Sequence, residues 1–280
     1  MTSLKKRCRW IKEPNPISET IWPIYVISLP KEMGRRANCV AALEALDLPF
    51  SFFDAIDGSA LTDADIVGFY DPEKNQRLFK RPLSAPEIGC YMSHHALWKR
   101  IGAGDAPGAV VIEDDFDADA ALPGLLREIS RLDLGNRLVK LHSERSTSGR
   151  SLVDLADGYQ LIDTYSVPGQ TLGYVISRET AANLAERVLP FGRPVDMDLK
   201  HWWELDISIL MVRPPVLHIT PGQARSAIES SRQASKPSGE SGMALRLVRN
   251  LRYQLPYRFG LFKARLRSRA NERKIETKKN

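Results

Sequence analysis

Apolar runs alternate with helical patterns in the first part of the chain. Residues 24–29 form an apolar run that stops at Pro30, as expected for a buried strand. Apolar side chains then recur at helical spacing from about residue 35 to residue 46, and a second strand pattern covers residues 50–53. A strand, a helix and a strand in this order predict a βαβ unit, which favours a parallel sheet.

The alternation continues as far as residue 219. Residues 61–86 are polar and rich in turn formers, which predicts a mobile loop region, and residues 143–150 form another polar run. Further strands are predicted at 109–112, 138–141, 160–162, 172–176 and 216–219, and helices at 86–101, 122–132, 178–188 and over most of 195–211. The pattern as a whole predicts an α/β protein.

Three consecutive carboxylates, Glu113, Asp114 and Asp115, directly follow the predicted strand at 109–112. In open α/β folds, ligands bind at the carboxyl edge of the sheet. Adjacent carboxylates repel one another unless a cation lies among them, and Mg²⁺ or Mn²⁺ suits hard oxygen ligands. A metal held by one or two carboxylates keeps positions open for substrate phosphates, which is the chemistry of nucleotide-sugar transfer. A solvated acidic loop is the alternative.

The predicted helix at 86–101 places Glu87, His94 and Trp98 on one face, beside the small side chain of Cys90. A carboxylate, an imidazole and an indole near a sheet edge are suited to recognising sugar hydroxyls or an acceptor. Alternatively, Cys90 and Trp98 belong to the core, and Glu87 stabilises the helix N-terminus, where a negative charge is favourable.

Arg35 and Arg36 follow the first predicted strand and open a helix. Arginine side chains at this edge of the sheet can clamp phosphates through paired N–H donors. The alternative is a solvated basic start to the helix. Because cations are unfavourable at a helix N-terminus, their position favours the functional interpretation.

Two aspartates begin the helical segment that follows Pro194. Asp196 or Asp198 could be the general base that deprotonates an acceptor hydroxyl, or either could cap the helix. His218, in the last predicted strand, could add a nitrogen ligand to the metal, although a lone histidine at a strand is more often structural. The sequence contains no GxSxG elbow, P-loop or GxGxxG motif.

Composition limits the cellular compartment that we expect for the protein and the class of protein to which it belongs. The chain has 280 residues, of which 43% are hydrophobic and 26% charged, as in ordinary globular proteins. Its three cysteines are scattered without a CxxC pair, so we expect neither a disulfide framework nor a thiolate zinc site, and a reducing cytoplasm fits best. No uncharged apolar run approaches the roughly 18 residues that span a bilayer, and no cleaved signal peptide is expected.

The net charge of +6 is concentrated in the C-terminal tail. Residues 243–280 contain twelve Lys/Arg and two Glu, a net of +10, so the other 242 residues carry −4. Apolar residues fall on one helical face up to residue 255, Pro256 interrupts the pattern, and aromatic residues continue among basic ones. This pattern predicts attachment to an anionic membrane. A nucleic acid would use the same charge, although no such partner is expected, and a helix docked on the protein itself is a third interpretation.

Taken in order, several of these stretches resemble glycosyltransferase family 25, the lipooligosaccharide and collagen galactosyltransferase group. The most specific signature is EIGCYMSH at 87–94 followed by EDD at 113–115. Other matches are IYVISL at 24–29 with Arg35 and Arg36, FDAIDG at 53–58, and Leu83-Ser84 and Trp98 on either side of EIGCYMSH. Weaker agreement continues at GYVIS (173–177), PVD (194–196) and SAI (226–228). The resemblance covers about residues 22–230. It departs from the family in about twenty extra residues before the first strand and in Ala227, where an acidic residue is expected.

The resemblance implies a GT-A type nucleotide-binding fold with a mixed, mainly parallel central sheet. It also implies inverting transfer of a hexose from a UDP-sugar, galactose being the family's commonest theme. The acidic triplet would serve as the DxD motif for Mn²⁺ or Mg²⁺, with Asp115 as the foremost ligand, Glu113 beside it and His218 as a further candidate. Asp196 and Glu87 are the candidate catalytic residues. The expected donor contacts are Ile27, Leu29, Arg35, Arg36, Asp57, Gly58, His94 and Asp114.

These inferences divide the chain into an N-terminal extension (1–21), a glycosyltransferase domain (22–230), a flexible linker (231–242) and a basic amphipathic tail (243–280). The expected protein is cytoplasmic and peripheral on the inner face of the plasma membrane. Its expected acceptor is a lipopolysaccharide, a lipooligosaccharide or a related lipid-linked glycan. A metal-dependent nucleotidyltransferase and a catalytically silent membrane-surface scaffold are the alternatives.

Overall fold

The computed structural model describes residues 20–144, 147–164, 166–220 and 254–264. The predicted linker at 231–242 lies outside these ranges. So do the SAI match at 226–228 and all but the last two residues of the predicted N-terminal extension.

An eight-stranded mixed sheet forms the centre of the α/β fold, in the strand order β2-β1-β3-β8-β5-β9-β7-β6. A separate ribbon pairs β4 with β10. The strands are β1 (Ile24–Ser28), β2 (Ser51–Asp54), β3 (Gly108–Glu113), β4 (Phe116–Ala118), β5 (Arg137–Lys140), β6 (Gly149–Asp154), β7 (Gln160–Thr164), β8 (Gly173–Ser177), β9 (Ser208–Arg213) and β10 (Leu217–Ile219).

The sheet is less parallel than predicted. Among the described residues, β1–β2, β1–β3 and β5–β9 pair in parallel, whereas β3–β8, β5–β8, β7–β9 and β6–β7 pair antiparallel. The prediction of a mixed α/β sheet is therefore confirmed and the prediction of a mainly parallel one is wrong. One cause is local, because β6 and β7 form a hairpin whose turn places Asp157 and Gly158 at positive φ.

Helices cover both faces of the sheet. They are α1 (Met33–Glu44), α2 (Asp63–Ile66), α3 (Pro72–Leu78), α4 (Ala85–Ala103), α5 (Leu122–Ser130), α6 (Arg178–Arg187), α7 (Val195–Lys200) and a C-terminal helix, α8, at residues 254–264. One core contains Leu43 of α1 and Leu125 of α5, and a second contains Trp98 of α4 and Leu184 of α6. The sheet is thus the middle of three layers.

The longest helix, α4, begins where the sequence predicts. Ser84 and Glu87 form a capping box, in which each side chain binds the backbone N–H of the other, and Pro86 lies in the first turn. Gly104 follows the last turn. Together these signals fix the start of the helix that carries His94 towards the sheet.

Three local predictions are wrong. The stretch 195–211 is helical only as far as Lys200. The apolar run that follows is buried on both sides as β9, and periodicity does not distinguish a buried strand from a buried helix. No strand is predicted in the polar run 143–150, but the edge strand β6 begins at its end, and its exposure and small apolar content explain why it is not predicted. The polar stretch 61–86 contains the short helices α2 and α3.

Helix α8 packs against the segment that follows α7. The ring of Tyr257 lies 5.1 Å from the imidazole of His201 and 5.6 Å from the indole of Trp203, measured between centroids. Pro256 lies in the first described turn of this helix, and the predicted apolar face before it, up to residue 253, lies outside the described residues. Within the described ranges, no helix combines the length and the apolarity needed to cross a bilayer.

Candidate functional site

A cavity of about 400 Å³ lies at the carboxyl edge of β1, β2 and β3. The edge is shared because these three strands run in parallel, with Ile27 opposite Glu113 and Ser28 opposite Asp54. Eleven predicted site residues line the cavity: Ile27, Leu29, Arg35, Asp57, Gly58, Glu87, His94, Glu113, Asp114, Asp115 and Asp196. Its size is within the range of small-ligand pockets.

The three carboxylates of the acidic triplet have different surroundings. Asp114 accepts hydrogen bonds from Ser28 Oγ at 2.6 Å and from Arg35 at 3.0 Å. Glu113 accepts from His94 at 3.1 Å and from the hydroxyl of Thr171. The Oδ1 atom of Asp115 is buried and has no hydrogen-bond partner among the described residues. Within the described part of the chain, Asp115 is therefore the one member of the triplet with an unpartnered buried oxygen beside the cavity.

The surroundings of Asp115 and Glu113 shift their pKa values in opposite directions. Burial, followed by the charges of Glu113 and Asp114, raises the pKa of Asp115 to about 7. Burial alone would also raise the pKa of Glu113, but hydrogen bonds from His94 and Thr171 lower it below its usual value. An ionised Glu113 beside an unpartnered Asp115 oxygen is a hard, anionic donor set, which fits a divalent cation such as Mn²⁺ or Mg²⁺.

A chain of hydrogen bonds holds Glu113 in place. Trp98 Nε1 donates to the hydroxyl oxygen of Tyr174 at 2.8 Å, and that hydroxyl lies 2.9 Å from Nδ1 of His94. An indole N–H can only donate, so the Tyr174 hydroxyl is free to give its own proton to Nδ1. The proton of His94 is then assigned to Nε2, which donates to Glu113. His94 lines the cavity with both ring nitrogens engaged.

Cys90, His94 and Glu113 bring possible metal-ligand atoms within 4.8 Å of one another. A thiol and an imidazole suggest a site for a softer metal such as Zn²⁺, but the surroundings of these side chains do not favour one. Both nitrogens of His94 are already bonded, and burial raises the pKa of the Cys90 thiol well above its usual value. A protonated thiol is a poor metal ligand, so Asp115 is a better candidate ligand for a cation than Cys90.

The structure separates the two adjacent arginines. Arg35 lines the cavity and pairs with Asp114. Arg36 instead donates to the backbone oxygen of Ser28 at 2.8 Å, pairs with Asp54 and stacks over the ring of Phe52. The predicted contact of Arg36 with a phosphate is therefore not supported, because its guanidinium ties β1 to β2 outside the cavity lining.

Two glycines bring the loop after β2 against α4. A Cβ atom on Gly58 would lie 1.8 Å from the carbonyl oxygen of Ala85, and one on Gly89 would lie 2.5 Å from the backbone nitrogen of Gly58. No larger residue fits at either position. This close approach places Asp57 at the cavity, where hydrogen bonds from Lys31 and then Ser59 lower its pKa to about 2.

Glu87 lines the cavity but is also bonded within the fold. Its two carboxylate oxygens pair with the two terminal nitrogens of Arg81, each at 2.7 Å, and one oxygen also caps α4 at Ser84. The side chain is 2% exposed. A buried carboxylate with these bonds is suited to positioning α4, and its predicted catalytic role stays a prediction.

Asp196 and Asp198 lie in the first turn of α7, and neither caps it by its side chain. Asp196 lines the cavity and accepts a hydrogen bond from the backbone nitrogen of Gln170 at 3.2 Å. Asp198 points into the core, where it accepts from Tyr91 at 2.8 Å and pairs with Arg193 at 2.9 Å. Of the two candidate bases, Asp196 is therefore the one at the cavity.

His218 lies away from the acidic triplet. Its imidazole is 3.2 Å from Asp119 on the β4–β10 ribbon, whereas its neighbour Ile219 lines the cavity. Adjacent residues of a strand point to opposite faces, so His218 faces away from the cavity when Ile219 faces it. This placement does not support the prediction that His218 joins Glu113 and Asp115 as a metal ligand.

Sequence reasoning missed the loop before β8, which contributes Gln170 and Thr171 to the cavity. Buried Lys140 shapes this loop by donating to the backbone oxygens of Pro168 at 2.8 Å, Gly169 at 2.9 Å and Gln170. The available signal was Lys140 itself, the charged end of an otherwise apolar strand pattern at 138–141. A buried lysine requires polar partners, and here they are carbonyl groups.

Comparisons with known proteins cover most of the residues at the cavity. The family model "Glycosyltransferase family 25 (LPS biosynthesis protein)" matches residues 21–199. Human "Procollagen galactosyltransferase 2" is 28% identical over 188 residues, which are 62% of this chain and 29% of the relative. An Anopheles gambiae "Glycosyltransferase 25 family member" is 30% identical over 192 residues, or 62% of this chain and 30% of the relative.

A "Probable inactive glycosyltransferase 25 family member 3" from Bos taurus is 24% identical over 247 residues, or 76% of this chain and 39% of the relative. The chain therefore matches well under half the length of these relatives. Because the family model covers more than half of the chain and includes all three carboxylates at the cavity, this chain belongs to glycosyltransferase family 25.

Proposed function

We propose that this chain is a glycosyltransferase that moves galactose from UDP-galactose to a lipopolysaccharide, a lipooligosaccharide or a related surface glycan, with inversion at the anomeric carbon. The observation that carries the proposal is the unpartnered, buried oxygen of Asp115 beside the ordered carboxylates Glu113 and Asp114, at the edge of a ligand-sized cavity. A GT-A type fold and a nucleotide diphosphate in this cavity form part of the proposal.

A divalent cation fits the donor set of Asp115 and Glu113. When bound, such a cation supplies positive charge that neutralises the diphosphate of a departing UDP. The protein's own residues prepare this position, because His94 and Thr171 keep Glu113 ionised and oriented. Arg35 and Ser28 fix the carboxylate of Asp114 through hydrogen bonds to its two oxygens.

The remaining cavity residues suit the two substrates. Ile27 and Leu29 offer an apolar surface, and Asp57 offers hydrogen-bond acceptors, for the nucleoside of the donor. Asp196 is the proposed base for the acceptor. It takes the proton of the acceptor hydroxyl while that oxygen bonds to the anomeric carbon and the bond to the UDP oxygen breaks.

The sugar and the acceptor are inferred from the relatives. Galactose follows from relatives named as procollagen galactosyltransferases, and the lipopolysaccharide-type acceptor from the description of the family. The reaction is proposed to take place at the cytoplasmic face of the plasma membrane. A catalytically silent scaffold is the second candidate, because one relative is named as an inactive member of the family.

Turnover of donor sugars tests this function. The full chain, with Mn²⁺ and a panel of UDP-sugars, is expected to release UDP fastest from UDP-galactose and faster still with a lipooligosaccharide acceptor. Asp196→Asn should abolish the acceptor-dependent rate, whereas Asp105→Asn, at an exposed position away from the cavity, should keep it. Release of pyrophosphate from a nucleoside triphosphate, without release of UDP, would instead identify a nucleotidyltransferase.

A further inference from the structure

Helix α8 (residues 254–264) has two opposite faces with different surroundings. The inner face contains Tyr257, Gly260, Leu261 and Ala264, which are buried or half-buried. The outer face contains Leu255, Phe259 and Phe262, which are 63%, 68% and 60% exposed. At about 100° per residue, these three positions lie within roughly 60° of one another and opposite the inner face.

The inner face fixes the orientation of the helix on the protein. The ring of Tyr257 packs against His201 and Trp203, and the ammonium of Lys200 lies 5.6 Å from its centre. Gly260 meets the indole of Trp203 so closely that a Cβ atom there would lie 2.8 Å from it. With this face packed, the outer face is held towards the solvent.

The outer face is an unusual concentration of exposed apolar surface. Among the described residues, five large apolar side chains are this exposed, and three of them belong to α8; the others are Met33 and Val67. Single exposed apolar residues need no explanation, but a contiguous stripe on one helix marks an interaction surface. Two bulky phenylalanines on this stripe suit insertion among acyl chains.

Basic residues flank this stripe on both sides. By the same helical geometry, Arg258 lies roughly 40–60° to one side of the stripe and Lys263 roughly 40–80° to the other, and both are exposed. Residues 243–280 carry a net +10, whereas the other 242 residues carry −4. An anionic surface would attract this end of the chain and repel the remainder. The protein would therefore bind such a surface with residues 243–280 facing it.

From these features we propose that α8 binds an anionic lipid bilayer, with Leu255, Phe259 and Phe262 inserted between acyl chains and Arg258 and Lys263 at the headgroups. The inference goes beyond the proposed transfer reaction and does not depend on it. It narrows the predicted membrane-binding tail to one face of one helix. The predicted docking of the tail on the protein is also found, but it uses the opposite face, so both interactions coexist.

The position of α8 relates this surface to the cavity. Helix α7 has Asp196 in its first turn at the cavity and ends at Lys200, next to the residues that hold α8. At about 1.5 Å rise per residue, the four residues from Asp196 to Lys200 advance only about 6 Å along the helix. One short helix therefore connects the packed face of α8 to the cavity residue Asp196.

Co-sedimentation of the full chain with vesicles tests the proposal. We expect binding to mixed phosphatidylcholine and phosphatidylglycerol vesicles and much weaker binding to phosphatidylcholine alone. Phe259→Ser/Phe262→Ser should weaken partitioning by about tenfold for each phenylalanine removed. Arg258→Glu/Lys263→Glu should weaken it by at least about fivefold for each residue and reduce the preference for anionic vesicles. The control Met33→Ser/Val67→Ser removes exposed apolar side chains elsewhere and should bind as the wild type does.

Several results would overturn the proposal. These are failure of the wild type to bind anionic vesicles, equal binding to both vesicle types, or unchanged binding by the Phe259/Phe262 variant. Light scattering on the same protein samples measures their oligomeric state and tests the main alternative, in which the stripe binds a second copy of this chain. If the wild type dimerises without vesicles and the Phe259→Ser/Phe262→Ser variant is monomeric, the stripe binds a second copy of this chain. Circular dichroism of each variant confirms that loss of binding is not loss of folding.

Discussion

His94 and Glu113 are joined at 3.1 Å, between the Nε2 atom of a buried imidazole on α4 and a carboxylate at the end of β3. This bond connects the two most specific sequence motifs of the chain. Trp98 holds the Tyr174 hydroxyl, and this hydroxyl fixes the orientation of the His94 ring. His94 in turn fixes the rotamer of Glu113, the carboxylate two residues before Asp115. The motif at 87–94 and the acidic triplet at 113–115 are thus joined by a hydrogen bond between helix α4 and the edge of the sheet.

Replacing His94 should impair both stability and donor binding. His94→Leu removes one hydrogen bond from Glu113 and one from the Tyr174 hydroxyl, at a cost of about 2–4 kcal/mol in the free energy of unfolding. Glu113 also loses its orientation, so the affinity for UDP with Mn²⁺ should fall. Urea denaturation and calorimetric titration measure the two effects. The neighbouring His95→Leu removes one bond to the Ala185 carbonyl and should leave UDP affinity unchanged; an equal loss in both variants would contradict this account.

The pair Arg81–Glu87 tests whether Glu87 positions α4 or takes part in catalysis. Arg81→Met leaves a buried carboxylate without its counter-ion and should cost about 3 kcal/mol of stability, and Arg81→Met/Glu87→Met should recover part of this loss. Glu87→Gln should keep most of the turnover per folded molecule if the residue is structural. Loss of turnover by Glu87→Gln with unchanged stability would support the catalytic role predicted from the sequence.

Lys140 should act as a positioning residue for the loop at 168–171. Lys140→Met removes the three hydrogen bonds from its ammonium group to the backbone carbonyls of residues 168–170. This loss should lower the free energy of unfolding by about 2–3 kcal/mol. Because Gln170 and Thr171 then lose their placement, the KM for the sugar substrates should rise more than kcat falls. Hydrogen exchange should quicken in this loop. The exposed Lys99→Met is the control, and unchanged exchange in Lys140→Met would count against the role.

The buried Asp198 should make stability fall with rising pH. Burial raises its pKa from 3.8 to about 6, despite the opposing effects of Arg193 and Tyr91. Between these values the folded state binds more protons than the unfolded state, so the free energy of unfolding decreases as pH rises from about 4 to about 6. The full contribution is on the order of 3 kcal/mol.

Denaturation of Asp198→Asn across this range isolates the effect. The difference between wild type and variant should change with pH between about 4 and 6 and stay constant above it. Asp105→Asn, at an exposed position, controls for the loss of one negative charge. A pH-independent difference for Asp198→Asn would show that folding does not shift the pKa of this carboxylate, which would contradict the account.

The sequence anticipates those parts of the fold and site that depend on local pattern. Strands β1 and β3 are continuous apolar runs, and α4 has its capping box, so the cavity edge and the acidic triplet could be placed in advance. The parallel arrangement of β1, β2 and β3 then brings Ile27, Asp57 and Glu113 together, as the βαβ pattern implies.

The residues that could not be anticipated depend on long-range pairing. Thr171 reaches Glu113 only because β8 runs antiparallel to β3, and no short-range pattern predicts that pairing. The same holds for Lys140, whose partners lie about thirty residues away. His218 and Arg36 show the converse. Each has a chemically suitable side chain in a suitable stretch, but the register of β10 and the contact with Asp54 direct them elsewhere.

Thermal unfolding with Mn²⁺, with UDP and with both, on the wild type, Asp115→Asn and Asp117→Asn, tests the central claim most directly. A ligand at about 100 times its Kd adds about 2.7 kcal/mol to the native state, or roughly 5–10 °C in Tm for a chain of this size. The account predicts that only metal and UDP together give this rise, that Asp115→Asn loses it, and that Asp117→Asn, exposed on β4, keeps it. An equal rise in Asp115→Asn, or no rise in the wild type, would contradict a metal-dependent UDP site at Asp115.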